Sequence, residues 1–170
     1  DEQEKYVHLA RDSADALMVI LNDILEVSSL EAGKVRIEPV STDVEGLLES
    51  TLNLFAESAK SKDLALRFHN APLMPRVMVD AGRLRQILIN VLGNAVKFTA
   101  QGHVVLRAQG DPQTPWQVTI EIEDTGVGIP QNQHSAIFDR FSQADSAVTR
   151  AFGGTGLGLA ISRILAERMG

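Results

Sequence analysis

The segment from Asp80 to Phe98 constrains this 170-residue chain more than any other. Leu84, Ile87, Leu88, Val91, Leu92, Ala95 and Val96 recur at helical spacing and make it apolar around much of its circumference. Gln86, Asn90 and Asn94 nevertheless form an i, i+4, i+8 row, with Lys97 one turn past Asn94. Buried amides are costly unless each finds a partner. Amide oxygens suit a hard cation such as Mg²⁺, which keeps several waters and leans on substrate phosphates. The alternative is a solvated helix face that happens to carry two asparagines.

Three further stretches carry chemistry. In Val118-Thr119-Ile120-Glu121-Ile122-Glu123-Asp124, a period of two puts Val118, Ile120, Ile122 and Asp124 on one face. That apolar face ends in a carboxylate, which needs a donor such as the exocyclic amine of a purine; alternatively Asp124 caps the turn at Thr125-Gly126. Gly126 and Gly128 follow, permitting close backbone approach to a ligand or simply a tight turn. Gly153-Gly154-Thr155-Gly156-Leu157-Gly158-Leu159 runs four glycines into a helix start, where N–H groups attract anions. It is not a P-loop, because no Gly-Lys-Ser or Gly-Lys-Thr follows, and its spacing is not that of a Rossmann turn. Between these stretches lies Phe138-Asp139-Arg140-Phe141, whose aromatics are expected to fold the loop back onto an apolar surface. Arg140 and Arg150 can reach phosphate or remain solvated.

The rest of the chain frames these features. Residues 5–30 read as one long helix, with Val7, Ala10, Ala14, Leu17, Leu21, Ile24 and Ser28 at coiled-coil spacing. One helix cannot bury that face alone and needs a partner. Gly33 is expected to cap it, which places a domain boundary between residues 33 and 34. A short strand over 35–40 and a helix from Ser41-Thr42-Asp43 to about Lys60 follow. Strands are expected at 64–68, 77–79, 103–109 and 117–123, with antiparallel pairing inside 64–79 and inside 103–123. The stretch 124–153 has little periodicity, as lids and binding loops do, and Leu157 to Met169 closes as a helix. The simplest architecture is α+β: a two-layer sandwich of a mixed sheet with helices on one face, preceded by the long helix.

Composition excludes several classes. Hydrophobic residues make up 44% of the chain, enough for a core without staples. Cys is absent, which removes disulfides, thiolate metal sites and Cys nucleophiles. The net charge of -6 argues against nucleic acid as a partner but leaves room for a single nucleotide. No apolar run approaches the roughly 20 residues of a membrane helix.

Taken together, the boxes resemble the histidine-kinase branch of the ATPase superfamily that also contains gyrase, heat-shock chaperones and mismatch-repair ATPases. The asparagine box spans Arg85 to Phe98, the first glycine box Asp124 to Ile129, the phenylalanine box Phe138 to Phe141 and the second glycine box Gly153 to Leu159. The style of Gly93-Asn94-Ala95-Val96-Lys97-Phe98-Thr99 and Phe141-Ser142-Gln143-Ala144-Asp145 is similar to hybrid bacterial sensor kinases.

The resemblance implies a Bergerat-type ATP fold over 34–170 and the second helix of a dimerisation and phosphotransfer stalk over 1–33. It implies ATP and Mg²⁺ as cofactors, with Asp124 on the adenine amino group, Asn94 on Mg²⁺ with Asn90 beside it, and Lys97 on phosphate oxygens. Asn90, Asn94 and Lys97 would form the catalytic set. Gly126, Gly128, Ile129, Phe141 and Arg150 would line the nucleotide, and Gly154, Thr155, Gly156, Leu157 and Gly158 would cradle it. The implied partners are a phosphoacceptor stalk domain, a response-regulator receiver domain and a dimer partner through residues 5–30. The implied setting is the cytoplasmic portion of an inner-membrane bacterial sensor. In hydrolytic relatives a glutamate occupies the position of Asn90, and an amide cannot take a proton from water at neutral pH. Transfer to a histidine is therefore expected in place of hydrolysis. The acceptor histidine itself is not expected in this chain, because His8 is followed by Leu9-Ala10 and not by an acid. Nor are the two strands that the family adds after the closing helix expected within residues 1–170. A regulatory module that acts by pairing with another kinase is the alternative.

Overall fold

The computed structural model describes residues 2–71, 74–111, 113–114, 117–142 and 154–170. Helix α1 (Glu2–Glu31) stops at Gly33, whose φ of +67° suits glycine. The Gly33 N–H donates to Leu30 O at 3.1 Å and the Lys34 N–H to Ser29 O at 3.0 Å, the paired bonds of a Schellman ending. Only the end of α1 is covered. Val27 and Leu30 pack with Leu157, Ile161 and Leu165 on helix α5 (Gly158–Met169) and its entry. Upstream, Tyr6, Val7, Leu9, Leu17 and Leu21 stand exposed.

The strands β1 (Val40–Asp43), β2 (Ala65–Asn70), β3 (Arg76–Val79), β4 (His103–Gly110) and β5 (Val118–Asp124) form two sheets. β1 and β3 pair antiparallel, while β2, β4 and β5 form a mixed sheet in that order. β2 runs parallel to β4, and β4 antiparallel to β5. Pairing within 103–123 thus agrees with the sequence reading; pairing within 64–79 does not. β3 turns instead to β1, and helix α4 (Ala81–Phe98) supplies the long crossover that a parallel β2–β4 pair requires. The first strand also begins later than expected. Val35 packs against the α1–α5 cluster and the Glu38 N–H donates to Asp80 Oδ2 at 3.0 Å, so residues 35–39 tie α1 to α4 and join no sheet.

The helix expected over 44–60 is two, α2 (Val44–Asn53) and α3 (Ala56–Ser61). The break leaves Leu54 exposed and brings the Phe55 ring beside Gly93, where a Cβ would lie 3.6 Å from it. Helices α2 and α4 cover one face of the sheet. Val44, Leu48, Leu88, Leu92, Ala95 and Val96 pack there on Val104, Leu106 and Ala108 of β4, with Ile120 and Ile122 beside them. Both ends of α4 are capped. Asp80 accepts from the Arg83 N–H at 3.0 Å, and Lys62 Nζ donates to the carbonyls of Val96 and Lys97 at 2.8 and 3.0 Å.

Candidate functional site

Glycines from two turns and a helix start converge on one helix. A Cβ on Gly126 would lie 2.7 Å from Phe98 O, so the turn after β5 is seated on the C-terminal end of α4. A Cβ on Gly154 would lie 3.3 Å from Lys97 Nζ, and one on Gly158 3.4 Å from Asn90 Cγ. Asn90, Lys97 and Phe98 are thus each met by a different glycine. Asn94 lies between them on the same helix, half-buried.

The polar row of α4 is not uniform. Gln86 Nε2 donates to Glu26 Oε2 at 2.6 Å, and its Oε1 accepts from Arg83 Nη1 at 3.0 Å. Asn90 Nδ2 donates to Gly158 O at 3.1 Å and to Ser162 Oγ at 3.2 Å, which leaves its Oδ1 unengaged among the described residues. The Asn94 amide makes no hydrogen bond among the described residues. Lys97 Nζ lies 5.1 Å from the centre of the Phe98 ring, and burial pulls its pKa below the ordinary lysine value. A desolvated ammonium beside the Gly154 turn is a good receiver for an anionic ligand.

Asp124 ends β5 on the face of Ile120 and Ile122, as the alternation requires. Its Oδ1 accepts from the Gly126 N–H at 2.8 Å, so the turn-capping reading of the sequence is realised. The two readings are compatible, because capping engages one carboxylate oxygen. Gly128 has φ of +68° with open space where a Cβ would stand, and Ile129 is exposed with its carbonyl 2.9 Å from His134 Nε2.

The second glycine box reaches in two directions. Gly156 has φ of +68°, and a Cβ there would lie 2.9 Å from the Phe141 carbonyl carbon. The Phe141 N–H donates to Gly156 O at 3.1 Å, which fixes the end of the 124–142 loop to this turn. Both rings are exposed, against the expectation that the aromatics fold back, Phe141 at 65% and Phe138, in a 3₁₀ turn (Ala136–Phe138), at 37%. Thr155 Oγ1 donates to Asp23 Oδ2 of α1 at 2.8 Å and accepts from the Leu157 N–H at 3.1 Å. Leu157 is 1% exposed, and its side chain belongs to the α1–α5 core, which leaves only its backbone for a ligand. Arg150 and Gly153 lie outside the described residues. Sequence reasoning missed Asp23 and Ser162. The signal for Ser162 was a small hydroxyl four residues beyond Gly158, one turn along the same helix face.

A cleft of about 700 Å³ opens elsewhere, between the end of α1 and the start of α4, lined by Glu26, Lys34, Glu38, Asp80 and Arg83 among others. Two of its carboxylates are already held, Glu26 by Arg83 Nη1 at 2.7 Å and Asp80 by the Glu38 and Arg83 N–H groups. The C-terminal half of α4 is the better candidate, because unengaged amide oxygens and a desolvated ammonium meet there. Among the described residues no group of three or more His, Asp or Glu could hold a metal ion. The donor set fits a Mg²⁺ that takes one or two amide oxygens and completes its shell with water and phosphate.

A one-faced layer of helices on a mixed sheet, with glycine turns gathered over an amide-bearing helix, defines a nucleotide-binding class. Residues 79–170 match the family model described as Histidine kinase-, DNA gyrase B-, and HSP90-like ATPase, and the chain belongs to that family. It is 41% identical over 173 residues to the sensor protein GacS of Pseudomonas syringae pv. syringae, covering 99% of this chain and 19% of GacS. It is 39% identical over 178 residues to hybrid signal transduction histidine kinase A of Dictyostelium discoideum, covering 99% of this chain and 8% of that protein. The crystal structure of full-length ShkA in complex with AMPPNP superposes with a TM-score of 0.87 at 36% identity, covering 99% of this chain and 34% of ShkA. The chain therefore spans well under a quarter of the length of these two curated relatives. Among the described residues no helix is long and apolar enough to cross a membrane.

Proposed function

We propose that this chain binds ATP with Mg²⁺ and donates the γ-phosphoryl group to a histidine on a sensor-kinase stalk, in two-component signalling. The carrying observation is the convergence of Gly126, Gly154 and Gly158 on Phe98, Lys97 and Asn90 of one helix. Residues 34–170 act as the catalytic ATP-binding domain, and residues 1–33 as the second stalk helix, whose exposed apolar side chains face a dimer partner. The complex of ShkA with AMPPNP, together with the names of the sensor-kinase relatives, supports this reading.

In the proposed site Asp124 accepts from the adenine amino group with the carboxylate oxygen that the turn leaves over. The glycine turns bring backbone N–H groups near the phosphates, with Gly126, Gly128, Ile129 and Phe141 on one side and Gly154 to Gly158 on the other. Lys97 neutralises phosphate charge. Asn94 and Asn90 Oδ1 would hold Mg²⁺, which supplies charge neutralisation across the phosphate oxygens when bound. A ring nitrogen of the acceptor histidine forms the new N–P bond as the β–γ bridging P–O bond breaks and ADP leaves. The proton on the other ring nitrogen is then released. Positioning and charge neutralisation dominate such a transfer. An amide at position 90 offers no base to activate water, which favours the histidine as acceptor. A receiver domain takes the phosphoryl group onward.

The test incubates the chain with γ-labelled ATP, Mg²⁺ and a separate stalk domain carrying the acceptor histidine. Acid-labile label on the stalk is expected. Rapid ATP hydrolysis with an unlabelled stalk would reject transfer.

A further inference from the structure

Resting on the reading of Asn90 as a metal-side residue, we propose that Ser162 is a positioning residue that sets which end of the Asn90 amide faces the nucleotide. Ser162 is 5% exposed on α5. Its Oγ donates to Gly158 O at 2.8 Å and lies 3.2 Å from Asn90 Nδ2, which is also 3.1 Å from Gly158 O. A serine hydroxyl has one proton. With that proton on Gly158 O, only lone pairs remain for residue 90. The Gly158 carbonyl is likewise an acceptor only. Both groups that α5 presents to position 90 therefore demand a donor.

An asparagine has one end that donates and one that accepts. The α5 pair takes the NH₂ end with both its protons, so Oδ1 is turned away from α5. A flipped amide would set its oxygen against the Gly158 carbonyl in a half-buried contact, and would keep the Ser162 contact only if the hydroxyl proton left Gly158 O. The orientation follows from the chemistry of the partners and does not depend on telling oxygen from nitrogen in the amide. Asn94 follows one turn later on the same helix face, so the two amide oxygens can serve one cation. An aspartate at position 90 could be accommodated only if the Ser162 proton left Gly158 O, so the same pair disfavours an acid there. Ser162 touches neither phosphate nor metal in this scheme; it acts through Asn90.

The experiment measures affinity for a fluorescent ATP analogue with Mg²⁺ and in EDTA, by anisotropy, for the wild-type chain, Ser162→Ala, Ser162→Cys and Asn90→Ala. Circular dichroism identifies any variant that fails to fold, and Ser162→Cys keeps the side-chain volume if the alanine variant is lost. Asn90→Ala should abolish most of the gain in affinity that Mg²⁺ brings. Ser162→Ala should reduce that gain about tenfold, near the upper value of one hydrogen bond between neutral groups, with EDTA affinity within about twofold of wild type. Ser162→Cys, a weaker acceptor, should fall between wild type and Ser162→Ala. A full Mg²⁺ gain in Ser162→Ala beside a lost gain in Asn90→Ala would overturn the positioning role alone. Equal losses with and without Mg²⁺ would mark Ser162 as packing and overturn it too. A full Mg²⁺ gain in Asn90→Ala would overturn the reading of Asn90 and the positioning role together.

Discussion

The two halves of α4 carry the same row of polar side chains and use it differently. In the N-terminal half, Gln86 has both ends of its amide engaged, by Arg83 and by Glu26 of α1. One turn on, Asn90 has only its NH₂ end engaged, by α5. One turn further, Asn94 has neither end engaged among the described residues. Position along the helix thus grades amide side chains from fully fastened to open among the described residues. The first half ties α4 to α1 through Glu26. The second leaves acceptors open where the glycine turns arrive. Both asparagines are only half-buried, so water can satisfy these acceptors while no ligand is bound.

This grading separates affinity from stability. Asn94→Ala should lower Mg²⁺-nucleotide affinity by about a hundredfold or more, because an amide ligand and its contacts vanish together. Its melting temperature should stay near wild type, since no protein hydrogen bond is lost; calorimetric titration and a thermal melt check both halves. Glu26→Ala should do the reverse. Its carboxylate accepts from Arg83 Nη1 at 2.7 Å and from Gln86 Nε2 at 2.6 Å in a half-buried seam. Loss of about 1–2 kcal/mol of stability is expected in urea titration, with nucleotide affinity changed less than about threefold.

Lys97→Met should weaken nucleotide binding about tenfold, as loss of one charged contact to phosphate. Burial holds its pKa down, so the folded state already disfavours the charge. Asp80→Ala gives the smallest effect, about 1 kcal/mol from the lost α4 cap, with no shift in affinity. The Glu38 N–H, with help from the Arg83 N–H, holds the Asp80 pKa below its ordinary 3.8. A depressed folded pKa means that the contribution is present above about pH 4 and fades as pH falls through the lower folded value. Stability measured from pH 6 down through pH 3 should fall less steeply in Asp80→Ala than in wild type.

What could be read in the sequence was local. Asp80 before a helical run, Gly33 after one, and the alternation ending at Asp124 each encode their structure within a few residues, and each formed. The β2–β4 pairing was not local. It depends on β3 leaving to join β1, which no short pattern near 64–79 announces. The expected strand over 35–40 dissolved for a similar reason, since Val35 and the Glu38 N–H find partners far along the chain. In the site, glycine spacing pointed to the turns that meet α4. It could not show that Leu157 is buried in the core with α1, nor that Thr155 holds Asp23. Ser162 escaped because one serine in a helix looks like any surface serine until Asn90 is seen beside it.

A crystal structure of this chain with Mg²⁺ and a non-hydrolysable ATP analogue decides between the two halves of α4. The adenine amino group should sit on the Asp124 carboxylate, with the phosphates between Asn94, Lys97 and the Gly154 turn. A nucleotide lodged instead in the cleft of Glu26, Lys34 and Arg83, at the other end of the helix, would contradict it.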